Sequence, residues 1–132
     1  VIAVEISVKD QELSVVKVEM HPHSSGNWTV DGAITSQYEQ HLRAILDLPL
    51  GDPSMTSRFV VTGNVYCGDK PNMYRPYLHL MARTPAMKFH QYKNSSTPGA
   101  LVGHVTLAGN NLEVLIEEIE HALQYMQGEI EE

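Results

Sequence analysis

The amino-acid sequence predicts an α+β fold, with strands and helices in the order β-β-loop-α-β-α-β-β-α. Three observations support this prediction. Two β-branched runs stand on either side of a short polar turn at the start of the chain. A capped amphipathic helix pattern follows a loop rich in serine and glycine, and a longer amphipathic pattern lies near the end. With 42% hydrophobic residues, the chain has enough apolar side chains for a packed core.

The first 52 residues predict a hairpin, a loop and a helix. Val1–Val8 and Leu13–Met20 are rich in β-branched residues, and the polar residues between them indicate a hairpin turn. His21–Gly32 is a loop by composition. Ser36 and Glu39 form a capping-box pattern at the start of a helix. The predicted apolar face of this helix consists of Tyr38, Leu42, Ile45 and Leu46.

A second piece, residues 53–132, is predicted to follow a boundary rich in proline and glycine. Its strands are expected at Arg58–Tyr66, Met87–Tyr92 and Leu101–Leu107, with a short helix over Arg75–Arg83. Asn110 is the predicted cap of the final helix, with Glu113 three residues later. The expected buried stripe of that helix is Leu112, Leu115, Ile116, Ile119, Leu123 and Met126.

Composition and charge exclude several functions. Nine Lys and Arg residues against 16 Asp and Glu residues give a net charge of −7, which argues against a nucleic-acid or anionic-membrane surface. No segment is long enough for membrane insertion, and no signal peptide is expected. The single cysteine, Cys67, allows no internal disulfide, so we expect a reducing compartment, cytoplasmic or organellar, and not secretion. Because the chain opens with Val1 inside an apolar run, we expect it to begin within a larger protein or to follow processing or trimming.

Several residues could carry chemistry. Glu5 and Glu19 lie on neighbouring predicted strands, where two carboxylates could hold Mg²⁺ or could simply face solvent. His21 and His23 could ligate a transition metal, but a zinc site needs three or four ligands and no CxxC or HExxH partner is present. Residues 24–27, with two serines, a glycine and an asparagine, could bind a small anion or form an ordinary turn.

A family resemblance rests on motifs spread along the whole chain. They are Ala3-Val4-Glu5, Val18-Glu19, HPHSSG (His21–Gly26), TSQYEQHLRAILDLPLG (Thr35–Gly51), GNVYCG (Gly63–Gly68), FHQYK (Phe89–Lys93) and PGALVGHVTLAG (Pro98–Gly109). Together they resemble the C-terminal half of the carboxyaminoimidazole ribonucleotide synthases, the ATP-grasp component of phosphoribosylaminoimidazole carboxylase. The resemblance implies that residues 1–52 are the C-terminal part of an ATP-grasp domain. Residues 53–132 would be a small, β-rich C-terminal domain with a terminal helix.

The resemblance also implies a reaction and a set of site residues. In this family ATP phosphorylates bicarbonate, and the carboxyl group then passes to the amine of aminoimidazole ribonucleotide. Glu5 and Glu19 would hold the Mg²⁺ ions that bridge the phosphates of ATP. The catalytic loop of His23, Ser24, Ser25 and Gly26 would face bicarbonate and the ribonucleotide. Lys93 would contact the phosphate of the ribonucleotide.

Departures from the family pattern suggest an alternative function. The family's N-terminal half is not in this sequence, so we expect activity only together with that half or with another protein chain, in an oligomer or complex. Val18, His21, Ser24, Thr97 and the pair Ala100-Leu101 stand where the family has Asn, Arg, Asn, Arg and Arg-Lys. The alternative is therefore a non-catalytic descendant that serves as a structural or interaction subunit. In either case we expect another chain to cover the apolar surface of the hairpin.

Overall fold

A computed structural model describes residues 1–68, 74–92 and 97–130 of the chain. The chain divides into two compact units, Val1–Ser54 and Met55–Glu132, each of which contains both helices and strands. The predicted α+β class is confirmed. The boundary between the units lies two residues beyond the predicted one, and the assignment of the units to the family's domains stays a prediction.

The first unit begins with an antiparallel hairpin of β1 (Ala3–Lys9) and β2 (Glu12–Glu19). Asp10 and Gln11 form its turn, with φ values of 50° and 66°. Two-residue turns with positive φ match the right-handed twist of paired strands, which is why they are common in hairpins. A bulge after Glu5 shifts the register of the two strands.

The hairpin has one apolar and one polar face, because side chains of directly paired residues lie on the same side of a sheet. Three apolar pairs form the first face: Val4 with Val18, Ile6 with Val15, and Val8 with Leu13. All six side chains are exposed in this chain, from 49% for Val4 to 72% for Leu13. The expectation that another chain covers this face stays a prediction.

The segment after the hairpin contains more helix than its composition indicates. Within the predicted loop, Ser24–Gly26 form a 3₁₀ turn and α1 spans Thr29–Gly32. The Thr29 hydroxyl donates to the carbonyl of Gly26 at 2.6 Å and joins the two turns. A hydrogen bond from a hydroxyl to a nearby backbone carbonyl stabilises a turn. Polar composition alone does not distinguish such a stabilised turn from an open loop.

Helix α2 spans Gln37–Ile45, and Ser36 caps it as predicted, since its hydroxyl accepts from the backbone N–H of Glu39 at 3.2 Å. The Glu39 carboxylate accepts hydrogen bonds from Arg43 one turn later, at 3.0 and 2.6 Å. The predicted apolar face of α2 is present, but all of its side chains are exposed: Tyr38, Leu42, Ile45 and Leu46.

The second unit is a three-stranded antiparallel sheet with two helices. The strands are β3 (Phe59–Tyr66), β4 (Lys88–Gln91) and β5 (Leu101–Gly109), in the order β3-β5-β4. The helices are α3 (Tyr74–Arg83) and α4 (Leu112–Gln127). α4 packs on β3 and β5, and α3 packs on α4. The core between these elements contains Val65, Leu80, Met87, Val102, Val105, Leu107, Leu115, Ile119, Ala122 and Met126.

Helix α4 corrects two predictions. Its cap is Asn111 and not Asn110, because β5 continues to Gly109 and the side chain of Asn111 accepts from the N–H groups of Glu113 and Val114. The predicted buried stripe was also too wide. Leu112 and Ile116 are exposed, since they lie at the edge of the helix face that meets the sheet. Ala122, which the stripe omitted, is fully buried.

Among the described helices, none combines the length and the apolar character needed to cross a lipid bilayer.

Candidate functional site

The polar face of the hairpin brings Glu5, Lys17 and Glu19 together. Glu5 is directly paired with Lys17, and Glu19 follows two residues later on the same face. The Lys17 ammonium lies 2.6 Å from Oε1 of Glu19. This hydrogen-bonded ion pair lowers the pKa of Glu19 below its usual value. It also raises the pKa of Lys17, with a smaller contribution from the charge of Glu5.

Two histidines flank the carboxylate of Glu19. Nε2 of His21 lies 3.7 Å from Oε1, and Nε2 of His23 lies 3.4 Å from Oε2. Nδ1 of His21 faces the carbonyl of Pro22 at 2.8 Å. A carbonyl only accepts, so this nitrogen carries a proton. Both oxygens of the Glu19 carboxylate therefore face nitrogen atoms of neighbouring side chains.

His23 also organises the loop that follows it. Its Nδ1 accepts the backbone N–H of Ser25 at 3.2 Å and lies 2.9 Å from the Ser25 hydroxyl. Because a backbone N–H can only donate, the ring proton of neutral His23 lies on Nε2, the nitrogen that faces Glu19. His23 is thus the N-terminal cap of the 3₁₀ turn at Ser24–Gly26. The side chains of Ser24 and Ser25 are exposed at the tip of this turn.

The side-chain amide of Gln37 forms two hydrogen bonds with the backbone of His23, and we call this arrangement a clamp. Its Nε2 donates to the carbonyl of His23 at 2.7 Å, and its Oε1 accepts the N–H of His23 at 3.2 Å. The Gln37 amide also lies close to Gly26, where an added Cβ would overlap it. A side chain at position 26 would therefore displace the Gln37 amide from its place beside the loop. Gln37 starts α2, so the helix fixes the position of the predicted catalytic loop.

A second glutamine one turn further along α2 repeats this arrangement. Nε2 of Gln40 donates to the carbonyl of Gly51 at 2.7 Å, and Oε1 accepts the N–H of Gly51 at 2.9 Å. Between the two clamps, the Tyr38 hydroxyl donates to Oδ1 of the buried Asn27 at 2.7 Å. Three neighbouring residues of one helix thus anchor three parts of the first unit by hydrogen bonds.

The predicted site residues fall into three groups. Glu5 and Glu19 share one face of the hairpin, as a pair of metal ligands would require, but Lys17 lies on that face as well. His23, Ser24, Ser25 and Gly26 form one ordered turn. Lys93 lies outside the described residues. The roles of these residues stay predictions.

Sequence reasoning missed Gln37 and the role of Lys17. Counting residues along β2 puts Lys17 and Glu19 on one face, so the ion pair had a signal in the sequence. The clamp had none, because Gln37 and His23 are 14 residues apart.

Comparisons with known proteins point to one enzyme family. No family model matches the chain. The N5-carboxyaminoimidazole ribonucleotide synthase of Mycobacterium tuberculosis is 41% identical over 130 residues, which covers 96% of this chain and 30% of that protein. The crystal structure of the Thermus thermophilus synthetase of that name is similar with a TM-score of 0.76 and 32% identity, covering 98% of this chain and 34% of that one.

A third similar protein has been solved with ligands. It is the N5-carboxyaminoimidazole synthase of Aspergillus clavatus in complex with ADP and 5-aminoimidazole ribonucleotide. Its TM-score is 0.79 at 25% identity, over 95% of this chain and 34% of that one. The chain thus spans about a third of the length of each of these three proteins.

Proposed function

We propose that this chain, which belongs to the family of N5-carboxyaminoimidazole ribonucleotide synthases, forms part of an ATP-dependent carboxylating enzyme of purine biosynthesis. The reaction would join bicarbonate to the amine of 5-aminoimidazole ribonucleotide. The observation that carries the proposal is the sequence identity along nearly the whole chain, which includes the loop and the helix that clamps it. ATP with Mg²⁺ is the proposed cofactor, since one of the similar structures contains ADP and another ATP.

The loop of His23–Gly26 is the part of this chain that we assign to the substrates. Ser24 and Ser25 are exposed, and the turn is ordered by the His23 cap and the Gln37 clamp. Exposed serine hydroxyl groups in a fixed turn suit a small anion such as bicarbonate or a phosphate. Holding donors in place before the substrate arrives avoids the cost of ordering them during the reaction.

The remaining two thirds of the enzyme, in the same protein or in a partner chain, would complete the site. The apolar faces of the hairpin and of α2 support this, because they expose a row of large aliphatic side chains that need a covering surface. We place the complex in a reducing compartment, cytoplasmic or organellar, since a chain whose one cysteine is Cys67 forms no internal disulfide.

A specific observation favours a second candidate, a non-catalytic descendant that acts as a structural or interaction subunit. The predicted metal pair does not fit its role well, because the Lys17 ammonium already binds Glu19. Thr97, Ala100 and Leu101 stand where the resemblance predicts arginine and lysine for the ribonucleotide phosphate. Each lost charge-assisted hydrogen bond would weaken binding by about 1.5–3 kcal/mol.

A chimera separates the two candidates. This chain would replace the matching segment of the Mycobacterium tuberculosis relative, and ATP- and bicarbonate-dependent consumption of 5-aminoimidazole ribonucleotide would be measured. The loss of two phosphate contacts that the enzyme needs would lower turnover at least about a hundredfold. Turnover within about a hundredfold of the relative would therefore show that this chain works without them, and would support the enzyme. A folded chimera that binds no ribonucleotide and shows no turnover would support the structural role. A His23→Ala chimera is the matched control for the loop.

A further inference from the structure

The face of the hairpin that carries Glu5 and Glu19 contains its own cation. We infer that the ammonium group of Lys17 takes the place of a divalent metal ion there, so that Glu5 and Glu19 do not form a Mg²⁺ site in this chain. The inference rests on the proposed function in one respect: the family resemblance is what assigns Mg²⁺ to these two carboxylates.

The strand register places Lys17 where a shared metal ion would have to lie. Glu5 and Lys17 are a direct cross-strand pair, and Glu19 is diagonal to Glu5. Diagonal neighbours on one face are about 7–8 Å apart at their Cα atoms, so two glutamates could reach one ion between them. The Lys17 side chain starts from the same face and its Nζ lies 2.6 Å from Glu19. A metal ion and this ammonium would therefore compete for the same oxygen.

Both oxygens of the Glu19 carboxylate already have nitrogen atoms close to them. Lys17 and His21 face its Oε1, and His23 faces its Oε2. The side chain of Glu19 is 19% exposed, less than half the value of any of its three partners. A metal ion that binds Oε1 directly would compete with the Lys17 ammonium for this oxygen.

The charge balance points the same way. Two carboxylates offer a charge of −2 to a hard cation, and Lys17 reduces this to −1. Mg²⁺ is held in proteins by one or two carboxylates together with water and substrate phosphates, so its affinity depends strongly on that charge. An ammonium group about 4 Å from a divalent ion in a water-exposed site repels it enough to weaken binding by about tenfold after screening by salt.

A manganese titration of the 132-residue chain tests this inference. Mn²⁺ prefers the same oxygen ligands as Mg²⁺ and broadens the NMR signals of the residues that bind it. We expect no selective broadening of Glu5 and Glu19 in the unchanged chain. Lys17→Met removes the charge and keeps an unbranched stem, and it should create a site at Glu5 and Glu19 that binds Mn²⁺ about tenfold more tightly. Lys17→Gln should behave in the same way.

Two controls keep the test specific. Lys9→Met removes a charge from the same polar face near the hairpin turn, where Lys9 pairs with Glu12, and it should leave binding unchanged. Adding Glu19→Gln to Lys17→Met should abolish the new site. Selective broadening of Glu5 and Glu19 in the unchanged chain would overturn the inference. So would the absence of a gain in both Lys17 variants, or an equal gain with Lys9→Met.

The titration and the chimera fail independently. Mn²⁺ binding by Glu5 and Glu19 in the unchanged chain would remove this inference and leave the proposed enzyme standing. An inactive chimera together with the expected titration would count against the enzyme and leave the role of Lys17 intact.

Discussion

The two units of this chain are stabilised in different ways. In the second unit, large aliphatic side chains such as Leu80, Val65 and Val105 are fully or almost fully buried between the sheet and its helices. In the first unit, the buried residues are small or polar: Asn27, Gly32, Ala33 and Thr35. Its large aliphatic side chains lie on the exposed faces of the hairpin and α2.

The two units therefore owe their ordered structure to different interactions. Hydrophobic burial is non-directional and grows with area, and it is available to the second unit within its own residues. The first unit relies on directed hydrogen bonds from Gln37, Tyr38 and Gln40 to hold its loops. Such bonds fix the position of particular groups more than they add net stability. The predicted catalytic loop, His23–Gly26, is in this unit.

The largest expected effect is the loss of core packing in the second unit. Leu80→Ala should lower the free energy of unfolding by about 2–5 kcal/mol, because Leu80 is completely buried and its removal leaves a cavity. Leu42→Ala, its matched control on the exposed face of α2, should change it by less than about 0.5 kcal/mol. Urea denaturation followed by circular dichroism measures both. Equal effects of the two substitutions would contradict the comparison.

An intermediate effect is expected from the clamp on the predicted catalytic loop. Gln37→Ala removes both hydrogen bonds to the backbone of His23, which should destabilise the loop by about 1–3 kcal/mol. Gln37→Glu should recover part of this, because its carboxylate still accepts from the N–H but no longer donates to the carbonyl. Hydrogen exchange at the His23 amide and the fluorescence of Trp28 report the change.

Gln124→Ala, on the exposed side of α4, controls for the loss of a glutamine in the same experiment. If its exchange at His23 matches that of Gln37→Ala, the loop is held by something other than the clamp.

The smallest expected effect is a pH dependence at the contact of α3 with α4. The Thr84 hydroxyl donates to Oε2 of Glu118 at 2.6 Å, and this bond together with the nearby Arg83 lowers the pKa of Glu118. A lowered pKa means that the contribution to stability is complete above the usual value near 4.5 and is lost as the pH falls through the lower value in the folded state. Thr84→Val should remove about 1 kcal/mol at neutral pH.

Denaturation of the unchanged chain and of Thr84→Val at pH 7 and at acid pH measures this contribution. The gap between the two proteins should narrow on acidification. A gap that stays constant would show that the Thr84 hydroxyl does not act through the Glu118 carboxylate.

Much of the fold followed from local patterns in the sequence. The hairpin came from β-branched runs around a polar turn, and the cap of α2 came from Ser36. The cap of α4 was misplaced by one residue, since pairing with β3 extends β5 to Gly109 and moves the helix start. Sheet pairing is a contact between distant segments, and a pattern within one segment does not contain it.

The candidate site was predictable in its composition but not in its arrangement. The motif around His23 was visible in the sequence, and so were Glu5 and Glu19. The clamp by Gln37 was not visible, because it joins residues separated by a whole turn and a short helix. A hydrogen bond of this kind depends on the path of the backbone between its partners.

The sequence by itself determined the resemblance of the chain to one enzyme family and its α+β class. These are comparative or local properties, since the period of a strand or helix pattern needs no distant partner. Only the tertiary structure decided that Lys17 binds Glu19, that Gln37 holds His23, and that the apolar face of α2 stays exposed. The physical reason is the same in each case. Distances between side chains, and the area that water reaches, are set by how separate segments pack.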